Sequence, residues 1–278
     1  MKIKIIQKAL IQKDLSLIHN SLSKDFTDAI DDDKVLFAKN FFGHGSIAIY
    51  LKNRRVTYIY AFKKLKDNIL KTIRETYKKY RNIMPDMEFE VLVNDKKEII
   101  EYLLGQGLTI IDSGSEYILE EVVNSSDLKD LKIEKYDPKR ADDYIEIIDN
   151  AFNPLREKMG KSLNYRKEHY NESIEKFNNS ALKNNLFIFT RNGDIIGICF
   201  LEGNILDTIV INPMFQGNNY GSIILNYMSD YIINSKKYDK AFLYVVTQNE
   251  RAHQFYLRNG YKLNAKYRVL NEGDNDDN

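Results

Sequence analysis

The sequence predicts a mixed α/β (α+β) protein made of two mixed-sheet domains in tandem. Strand-like apolar runs alternate with segments whose apolar residues recur every three or four positions, as amphipathic helices require. Short polar turns join neighbouring strand-like runs, and Asn192-Gly193 is the pair most typical of a tight hairpin. A chain of 278 residues is long enough for two ordinary domains. The polar stretch 122–130 is the predicted linker between a first domain, 1–122, and a second, 131–270.

The composition argues against several classes of protein. The 41 basic and 40 acidic residues nearly cancel, so nothing indicates attraction to nucleic acid or to an anionic membrane. No apolar run approaches the ~20 residues of a membrane span, and the N-terminus lacks a signal-peptide pattern. The single cysteine, Cys199, excludes an internal disulfide, and the four histidines show no metal-ligand spacing. We therefore expect a cytoplasmic, metal-free monomer or homodimer without a nucleic-acid or membrane partner.

The first domain is expected to alternate strands and helices. The predicted strands are 1–8, 47–51, 56–62, 89–93 and one or two within 108–120, and the predicted helices are 15–26, 65–80 and 96–104. Ile3 and Ile5 alternate with lysines in the first strand, as a half-buried strand requires.

The second domain is expected to begin a similar succession. The predicted strands are 131–136, 186–190, 195–201, 205–211, 241–246 and 261–270, and the predicted helices follow Pro138 and span 164–177, 223–233 and 250–259. An irregular basic loop is expected at 153–163 and a frayed acidic tail at 271–278.

The stretch 205–222 organises the second domain. It consists of a β-branched apolar run closed by Asn212-Pro213, a polar loop, and the start of an amphipathic helix. The loop, 216–221, would bring backbone N–H groups to a helix N-terminus, where such donors lack internal partners and favour an anion. Glycines between a strand and a helix can also simply form a turn. A phosphate-bearing ligand is the functional expectation from this stretch.

This stretch resembles motif A of the GNAT superfamily of N-acetyltransferases, whose loop reads Gln/Arg-x-x-Gly-x-Gly/Ala. Gln216 and Gly221 match that pattern, and Asn219 stands where the family usually has glycine. Asparagine is the non-glycine residue best able to adopt positive φ, so the loop shape is expected to survive.

Downstream, the stretch 246–261 resembles motif B of the same superfamily. It contains Asn249, then Ala252, then the aromatic pair Phe255-Tyr256, and then Gly260 followed by an aromatic residue. The resemblance covers 131–270 and implies a GNAT-like domain there.

The resemblance implies transfer of an acetyl group from acetyl-CoA to a primary amine of a small molecule or peptide by direct attack. Backbone N–H groups of residues 217–222 would hold the pyrophosphate, and the edge of residues 209–211 would pair with the pantetheine. An N–H group of that strand would polarise the thioester carbonyl. The implied cofactor-binding residues are Ile209, Val210, Ile211, Gln216, Gly217, Asn218, Asn219, Tyr220, Gly221, Ser222 and Asn249.

Two further residues are candidates for the proton transfers. Tyr256 would donate a proton to the departing thiolate, since a phenol is protonated at pH 7; the alternative is a packed helix tyrosine. Many relatives place a glutamate near the start of the motif A strand, where this chain has Asn204-Ile205. Asp207 is the nearest substitute base, with a strand-end carboxylate or a water relay as alternatives. Asn249 would orient the pantetheine, and it can also act as a plain helix N-cap.

The first domain is expected to be a degenerate GNAT-like repeat of the intact second. With a shift of 153, Gly107 falls on Gly260, but Lys96 falls on Asn249 and Leu103 on Tyr256. No glycine occurs from Ser46 to Leu104, where a phosphate loop would lie. An unrelated α/β domain is the alternative.

Two functional questions stay open at this point. The chain is expected to be an N-acetyltransferase, with a non-catalytic acyl-CoA-binding sensor or scaffold as the alternative. Arg156, Lys158 and Lys161 would either contact an acidic acceptor or form a solvated basic loop.

Overall fold

The structure is a computed structural model that describes residues 5–18, 22–52, 55–122 and 127–272. The chain divides into two compact units. One comprises Met1–Glu116 with Asn264–Asn278, and the other comprises Tyr117–Leu263.

The first unit alternates helices and strands, but the helix predicted at 15–26 is wrong: one helix ends at Leu15, residues 16–18 form a turn, and another helix begins at Leu22. The strand at 35–41 was not predicted. The elements of this unit in order are α1 (Ile5–Leu15), α2 (Leu22–Asp31), β1 (Val35–Phe41), β2 (Gly45–Lys52), β3 (Arg55–Phe62), α3 (Asp67–Ile83), β4 (Glu88–Asn94), α4 (Lys97–Leu104) and β5 (Leu108–Leu119). Helix α3 buries Ile69, Ile73 and Tyr77, whose spacing of four places them on one face.

The start of the chain was predicted wrongly. Residues 5–8 of the expected strand belong to helix α1, and residues 1–4 lie outside the described chain. The short alternation of isoleucine and lysine is overridden because Ile11 and Leu15, four positions apart, are both buried.

The second unit continues the succession. Its elements are β6 (Lys132–Glu134), α5 (Ala141–Lys158), α6 (Tyr165–Glu168), α7 (Tyr170–Leu182), β7 (Leu186–Arg191), β8 (Asp194–Glu202), β9 (Ile205–Ile211), α8 (Tyr220–Asp230), β10 (Ala241–Val246) and α9 (Glu250–Arg258), and they are followed by β11 (Lys262–Glu272), which crosses into the first unit. None of the helices in the described part of the chain combines the length and the apolar character needed to cross a membrane.

Helix α5 extends further than predicted. The sequence placed an irregular loop from residue 153, but the helix runs through Pro154 and ends at Lys158. Proline removes one backbone donor from a helix, and here that loss does not end the helix. Phe152 and Leu155 on either side of it line the same cavity, described below.

The two units and the two predicted domains share most of their residues. They differ at β5, which enters the second unit at Tyr117, and at β11, which belongs to the first unit from Asn264 onward. In the first unit, β11 pairs with β4 in antiparallel fashion, from Tyr267 opposite Asn94 to Asn271 opposite Glu90.

Strands of the second unit lie between two layers of helices. The strand order there is β5-β10-β9-β8-β7-β6. On one face, Cys199, Leu206 and Ile224 belong to a core built with α8 and α9. On the other face, Ile198 and Phe200 pack with residues of α5 and α7. Such alternation along β8 is the period-two pattern of a strand buried on both sides.

The order of elements occurs twice along the chain. Helices are followed by three strands, a helix, a strand, a helix and a last strand, first from α1 to β5 and then from α5 to β11. The pairing of the third and fourth strands differs between the two rounds. Strands β3 and β4 pair in parallel from Arg55 opposite Glu88 to Tyr60 opposite Val93. Their counterparts β9 and β10 pair at two positions, Phe242 opposite Ile205 and Leu243 opposite Leu206.

Candidate functional site

A cavity of about 810 Å³ opens in the second unit where β9 and β10 part. Its walls are the parted strand ends, the loop after β9, the start of α8, helix α9 and the last turns of α5. The opposite edge of β9 pairs with β8, from Ile211 opposite Gly197 to Thr208 opposite Phe200. The edge of residues 207–211 that faces away from β8 therefore has backbone groups available to a ligand that pairs as a strand.

The register between β8 and β9 is interrupted beside the cavity. Phe200 lies opposite Thr208 and Leu201 opposite Leu206, so Asp207 is the extra residue of a bulge. Bulges of this kind bend a strand and redirect its side chains. The bulge coincides with the point at which β9 leaves β10.

The loop between β9 and α8 has the shape expected from its sequence. Asn212 starts it, with its side-chain Oδ1 accepting a hydrogen bond from the backbone N–H of Met214 at 3.1 Å. Gly217 has a φ of 84° and Asn219 a φ of 64°. Both values lie in the left-handed region, which glycine and asparagine adopt most readily. The expectation that asparagine preserves the turn at position 219 is confirmed.

Helix α8 begins at Tyr220 directly after this left-handed residue. The first internal helical bond of α8 runs from the N–H of Ile223 to the carbonyl of Asn219, at 3.2 Å. The N–H groups of Tyr220, Gly221 and Ser222 precede that bond and so have no helical carbonyl partner. All three residues line the cavity, which thus receives the positive end of the helix dipole.

Gly221 allows α8 and α9 to approach each other at the cavity wall. A Cβ atom added to it would lie 3.3 Å from Cζ of Phe255 and 3.6 Å from Cγ1 of Ile211. The first distance is tighter than most Cβ contacts, so any side chain at this position must displace the Phe255 ring.

Gln216 connects the loop to its surroundings. Its Nε2 donates to the carbonyl oxygen of Ile211 at 3.1 Å, and its Oε1 accepts from Nη1 of Arg251 at 3.1 Å. Arg251, which the sequence analysis did not single out, is thereby placed beside the loop as a cation on helix α9. No local pattern marks this arginine, because its position depends on the packing of α9 against the loop.

Tyr256 lines the cavity from α9 and is otherwise enclosed by aromatic rings. Its ring centroid lies 5.2 Å from that of Phe255 and 5.9 Å from that of Tyr261. Burial raises the pKa of the Tyr256 hydroxyl above its ordinary value of 10.0, and the nearby Cys199 adds to the effect. The hydroxyl is therefore a neutral hydrogen-bond donor at physiological pH.

Asp207 also lines the cavity, at the bulge of β9. Its Oδ2 accepts a hydrogen bond from Nζ of Lys176 on α7 at 2.8 Å, and the side chain is 39% exposed. The same oxygen also accepts a hydrogen bond from Oγ1 of Thr208 at 3.3 Å.

Asn249 is the N-cap of α9 and lines the cavity at the same time. Its Oδ1 accepts from the backbone N–H of Ala252 at 3.1 Å, which confirms the helix-capping interpretation. The amide nitrogen of the same side chain remains available to a ligand.

The structure brings the sequence-predicted site residues together, with one exception. The residues that line the cavity are Asp207, Ile209, Val210, Ile211, Gln216, Gly217, Asn219, Tyr220, Gly221, Ser222, Asn249 and Tyr256. Asn218 does not line it, and its Nδ2 instead donates to the carbonyl of Phe215 at 3.2 Å.

Other polar candidates lie outside this group. Cys199 is fully buried, and burial raises the pKa of its thiol, as a core position implies. Nδ1 of His253 forms a hydrogen bond of 2.8 Å with the hydroxyl of Tyr117, and the histidine is only partly exposed. Within the described residues, no cluster of three or more metal-ligating side chains is found.

Comparison with known proteins identifies the family of this region. Residues 183–263 match the family model described as the acetyltransferase (GNAT) domain. The match spans β7 to the start of β11 and contains the whole loop and α9. No curated protein matches the chain.

Solved structures resemble the chain over nearly its whole length. A GCN5-related N-acetyltransferase from Kribbella flavida is 10% identical, with a TM-score of 0.51, over 95% of this chain and 96% of its own. A GNAT-family acetyltransferase from Colwellia psychrerythraea is 8% identical, with a TM-score of 0.53, over 98% and 97%. A Drosophila protein solved by X-ray crystallography is 14% identical, with a TM-score of 0.53, over 95% and 96%. At these identities the likeness establishes a shared fold.

Proposed function

We propose, from the match of residues 183–263 to the acetyltransferase (GNAT) domain, that the chain transfers an acetyl group from acetyl-CoA to a primary amine. The acceptor is a small molecule or a peptide, and its nitrogen attacks the thioester directly. The observation that carries the proposal is the parting of β9 and β10 next to a loop with unpaired helical N–H groups.

The residues of the cavity fit acetyl-CoA by their chemistry. The N–H groups of residues 220–222 suit the pyrophosphate, since a helix N-terminus stabilises phosphate charge. Arg251, held by Gln216, adds a positive charge beside that loop. The free edge of β9 suits the pantetheine amides, which pair as an added strand. When bound, acetyl-CoA supplies the activated acetyl group.

Tyr256 is assigned the role of general acid. Tyr256 lines the cavity, and its hydroxyl stays protonated because burial raises its pKa. A neutral phenol stabilises a departing thiolate by donating a proton to the sulfur. A backbone N–H of residues 209–211 is assigned the polarisation of the thioester carbonyl.

Asp207 is retained as the candidate base, in competition with a water relay. It is the acidic side chain among the described residues that line the cavity. Its ion pair with Lys176 occupies one oxygen and leaves the other to accept the proton of the attacking amine. In the relay, ordered water carries that proton to solvent.

The same ion pair supports the second candidate function, a non-catalytic acyl-CoA sensor or scaffold. If Lys176 keeps Asp207 from acting as a base, the cavity retains its cofactor contacts without a proton acceptor. The buried, protonated Tyr256 on the cavity wall favours the enzyme over the sensor.

We further propose that the first unit is a degenerate GNAT-like repeat without a cofactor site. Lys96 and Asn249 are the N-caps of α4 and α9, and Gly107 and Gly260 both have a φ of 90°, which supports the repeat. The continuous pairing of β3 with β4 leaves no edge free for pantetheine. Lys96 makes no side-chain cap bond, so the polar group that Asn249 presents has no counterpart.

We place the reaction in the cytoplasm and expect a monomer or homodimer without a nucleic-acid or membrane partner. Cys199, the single cysteine, is fully buried and shielded from oxidants. Charges of both signs nearly balance, which disfavours polyanionic partners.

A transfer assay decides between enzyme and sensor. Purified protein is incubated with acetyl-CoA and a panel of primary amines, and both thiol release and acetylated product are measured. An enzyme produces the two in equal amounts. A sensor binds CoA, as seen by calorimetry, and yields neither product above the amine-only background.

A further inference from the structure

The three basic residues in and after the last turn of α5 have different surroundings. Lys158 donates from Nζ to the carbonyl of Gln248 at 3.2 Å and pairs with Glu250 at 3.4 Å, and it does not line the cavity. Arg156 and Lys161 do line the cavity. Lys158 is therefore engaged in an ion pair, whereas Arg156 and Lys161 lie where a ligand in the cavity can reach them.

Two contacts hold the side chain of Arg156 in place. Its Nε donates to the carbonyl oxygen of Ser162 at 2.5 Å, and its guanidinium carbon lies 4.7 Å from the ring centroid of Tyr165. In the part of the chain that the structure describes, its two terminal amino groups make no other hydrogen bond. An arginine held in this way presents a fixed pair of donors, which matches a carboxylate in a bidentate contact.

The support beneath Arg156 is itself anchored. Tyr165 stacks on His169 with centroids 4.2 Å apart. The buried Asp149 accepts hydrogen bonds from the N–H groups of Arg166 at 2.9 Å and Lys167 at 3.0 Å, which ties α6 to α5. A solvated basic loop would not be expected to form these contacts, so they argue against that alternative for Arg156.

The charges that line the cavity disfavour a cationic acceptor. The basic residues that line it are Arg156, Lys161, Arg251 and Arg258, and the acidic residue among the described lining residues is Asp207. Among the described lining residues, a polycationic amine would find a single carboxylate, that of Asp207, which already pairs with Lys176. Two positive charges near the site instead favour the neutral, nucleophilic form of an acceptor amine.

We infer that the acceptor is a primary amine that also bears a carboxylate, which Arg156 binds through its two terminal amino groups. The inference rests on the proposed acetyl transfer and adds the chemical class of its acceptor. Arg251 differs from Arg156 in that it contacts the loop residue Gln216, so it is assigned to the cofactor phosphates. Arg156 is thus a specificity-determining residue.

The test compares primary amines in matched pairs, each as the free acid and as its carboxamide, with α-, β- and ε-amines represented. The ratio of kcat/KM for acid over amide is measured for the wild type, Arg156→Gln and Arg156→Lys. Differences in amine basicity cancel when the ratios of two proteins are compared. Lys167→Gln is the matched control, because Lys167 is an exposed cation of the neighbouring helix α6 and does not line the cavity. Circular dichroism and calorimetric CoA affinity are recorded for every variant.

We expect Arg156→Gln to lower kcat/KM for the preferred acid about 10- to 100-fold, the range for a lost hydrogen-bonded charge contact. The kcat/KM for the carboxamides and the Kd for CoA should hardly change. Arg156→Lys should recover part of the lost kcat/KM, and Lys167→Gln should give the wild-type ratio of acid over amide. An equal loss for acids and amides, or a parallel loss of CoA affinity, would show that Arg156 serves the cofactor or the fold and overturn the inference. CoA binding without transfer to any acid overturns it too. Absence of CoA binding in the wild type refutes the proposed function itself, and the inference with it.

Discussion

Leu206 lies opposite Leu243 at the last position where β9 and β10 pair. Beyond this position the two strands part, and residues 207–211 and 244–246 line the cavity instead. In the first unit the corresponding strands stay paired as far as Tyr60 opposite Val93. If parted strands hold the cofactor, then among the described residues it is the second unit that offers a place for it.

Removal of the Tyr256 hydroxyl tests the proposed general acid. Tyr256→Phe should lower kcat about 10²- to 10⁴-fold, the usual contribution of general acid catalysis. The affinity for acetyl-CoA should stay the same, because proton donation matters only in the transition state. Steady-state kinetics and calorimetry measure the two effects.

Tyr261→Phe is the control for this experiment. Tyr261 belongs to the same aromatic cluster and does not line the cavity, and its hydroxyl forms a 2.8 Å hydrogen bond with Ser229. Loss of the Tyr261 hydroxyl should lower Tm and leave kcat nearly unchanged. A kcat that responds equally to both substitutions would make Tyr256 a structural residue.

The ion pair between Asp207 and Lys176 provides a test of the base. If Asp207 accepts the proton of the amine, Asp207→Asn should lower kcat with little change in CoA affinity. Lys176→Gln removes the same ion pair and leaves the carboxylate in place, so it should keep or raise kcat. Equal effects of both substitutions on Tm, with kcat unaffected, would favour the water relay and make the ion pair purely structural.

Buried tyrosines predict a loss of stability at alkaline pH. Burial raises the pKa of Tyr60, Tyr256 and Tyr261 above the ordinary value of 10.0. Above pH 10 the unfolded chain loses these protons while the folded chain keeps them, so the free energy of unfolding falls as pH rises. Below pH 10 the folded and unfolded states both hold these protons, so the three tyrosines contribute no pH dependence to the free energy of unfolding.

Denaturant unfolding followed between pH 8 and pH 12 measures this effect. The midpoint should fall above pH 10, and the ultraviolet absorbance of tyrosinate should appear together with unfolding. Tyrosinate absorbance from buried tyrosines in the folded protein would contradict the raised pKa values.

Local sequence was sufficient to predict the positive φ of Asn219 in the loop between β9 and α8. The turns at Gly217 and Asn219 depend on φ values that few residue types adopt, so their residue types indicate the backbone. The N-cap role of Asn249 is local in the same sense, since its partner Ala252 is three positions away. Helix α1 escaped prediction because burial of Ile11 and Leu15 outweighed the alternation before them.

The tertiary features of the site could not be read from the sequence. The parting of β9 and β10, the contact of Arg251 with Gln216 and the stacking of Arg156 on Tyr165 each join segments from different elements. Neither the secondary-structure propensity of a residue nor the spacing of apolar residues along the chain specifies such contacts. The extension of α5 through Pro154 belongs to this class too, since proline alone argues against it.

The central claim is that one CoA binds at the loop before α8, and calorimetric titration tests it most directly. We expect saturation at one equivalent per chain for the wild type and no binding for Gly221→Glu. The glutamate side chain requires the Phe255 ring to shift, and its carboxylate adds negative charge beside the loop N–H groups. Gly105→Glu introduces the same charge at the end of α4, where φ is −66°, and should bind CoA like the wild type. Two equivalents, or a saturable site that survives Gly221→Glu in a folded protein, would contradict the claim.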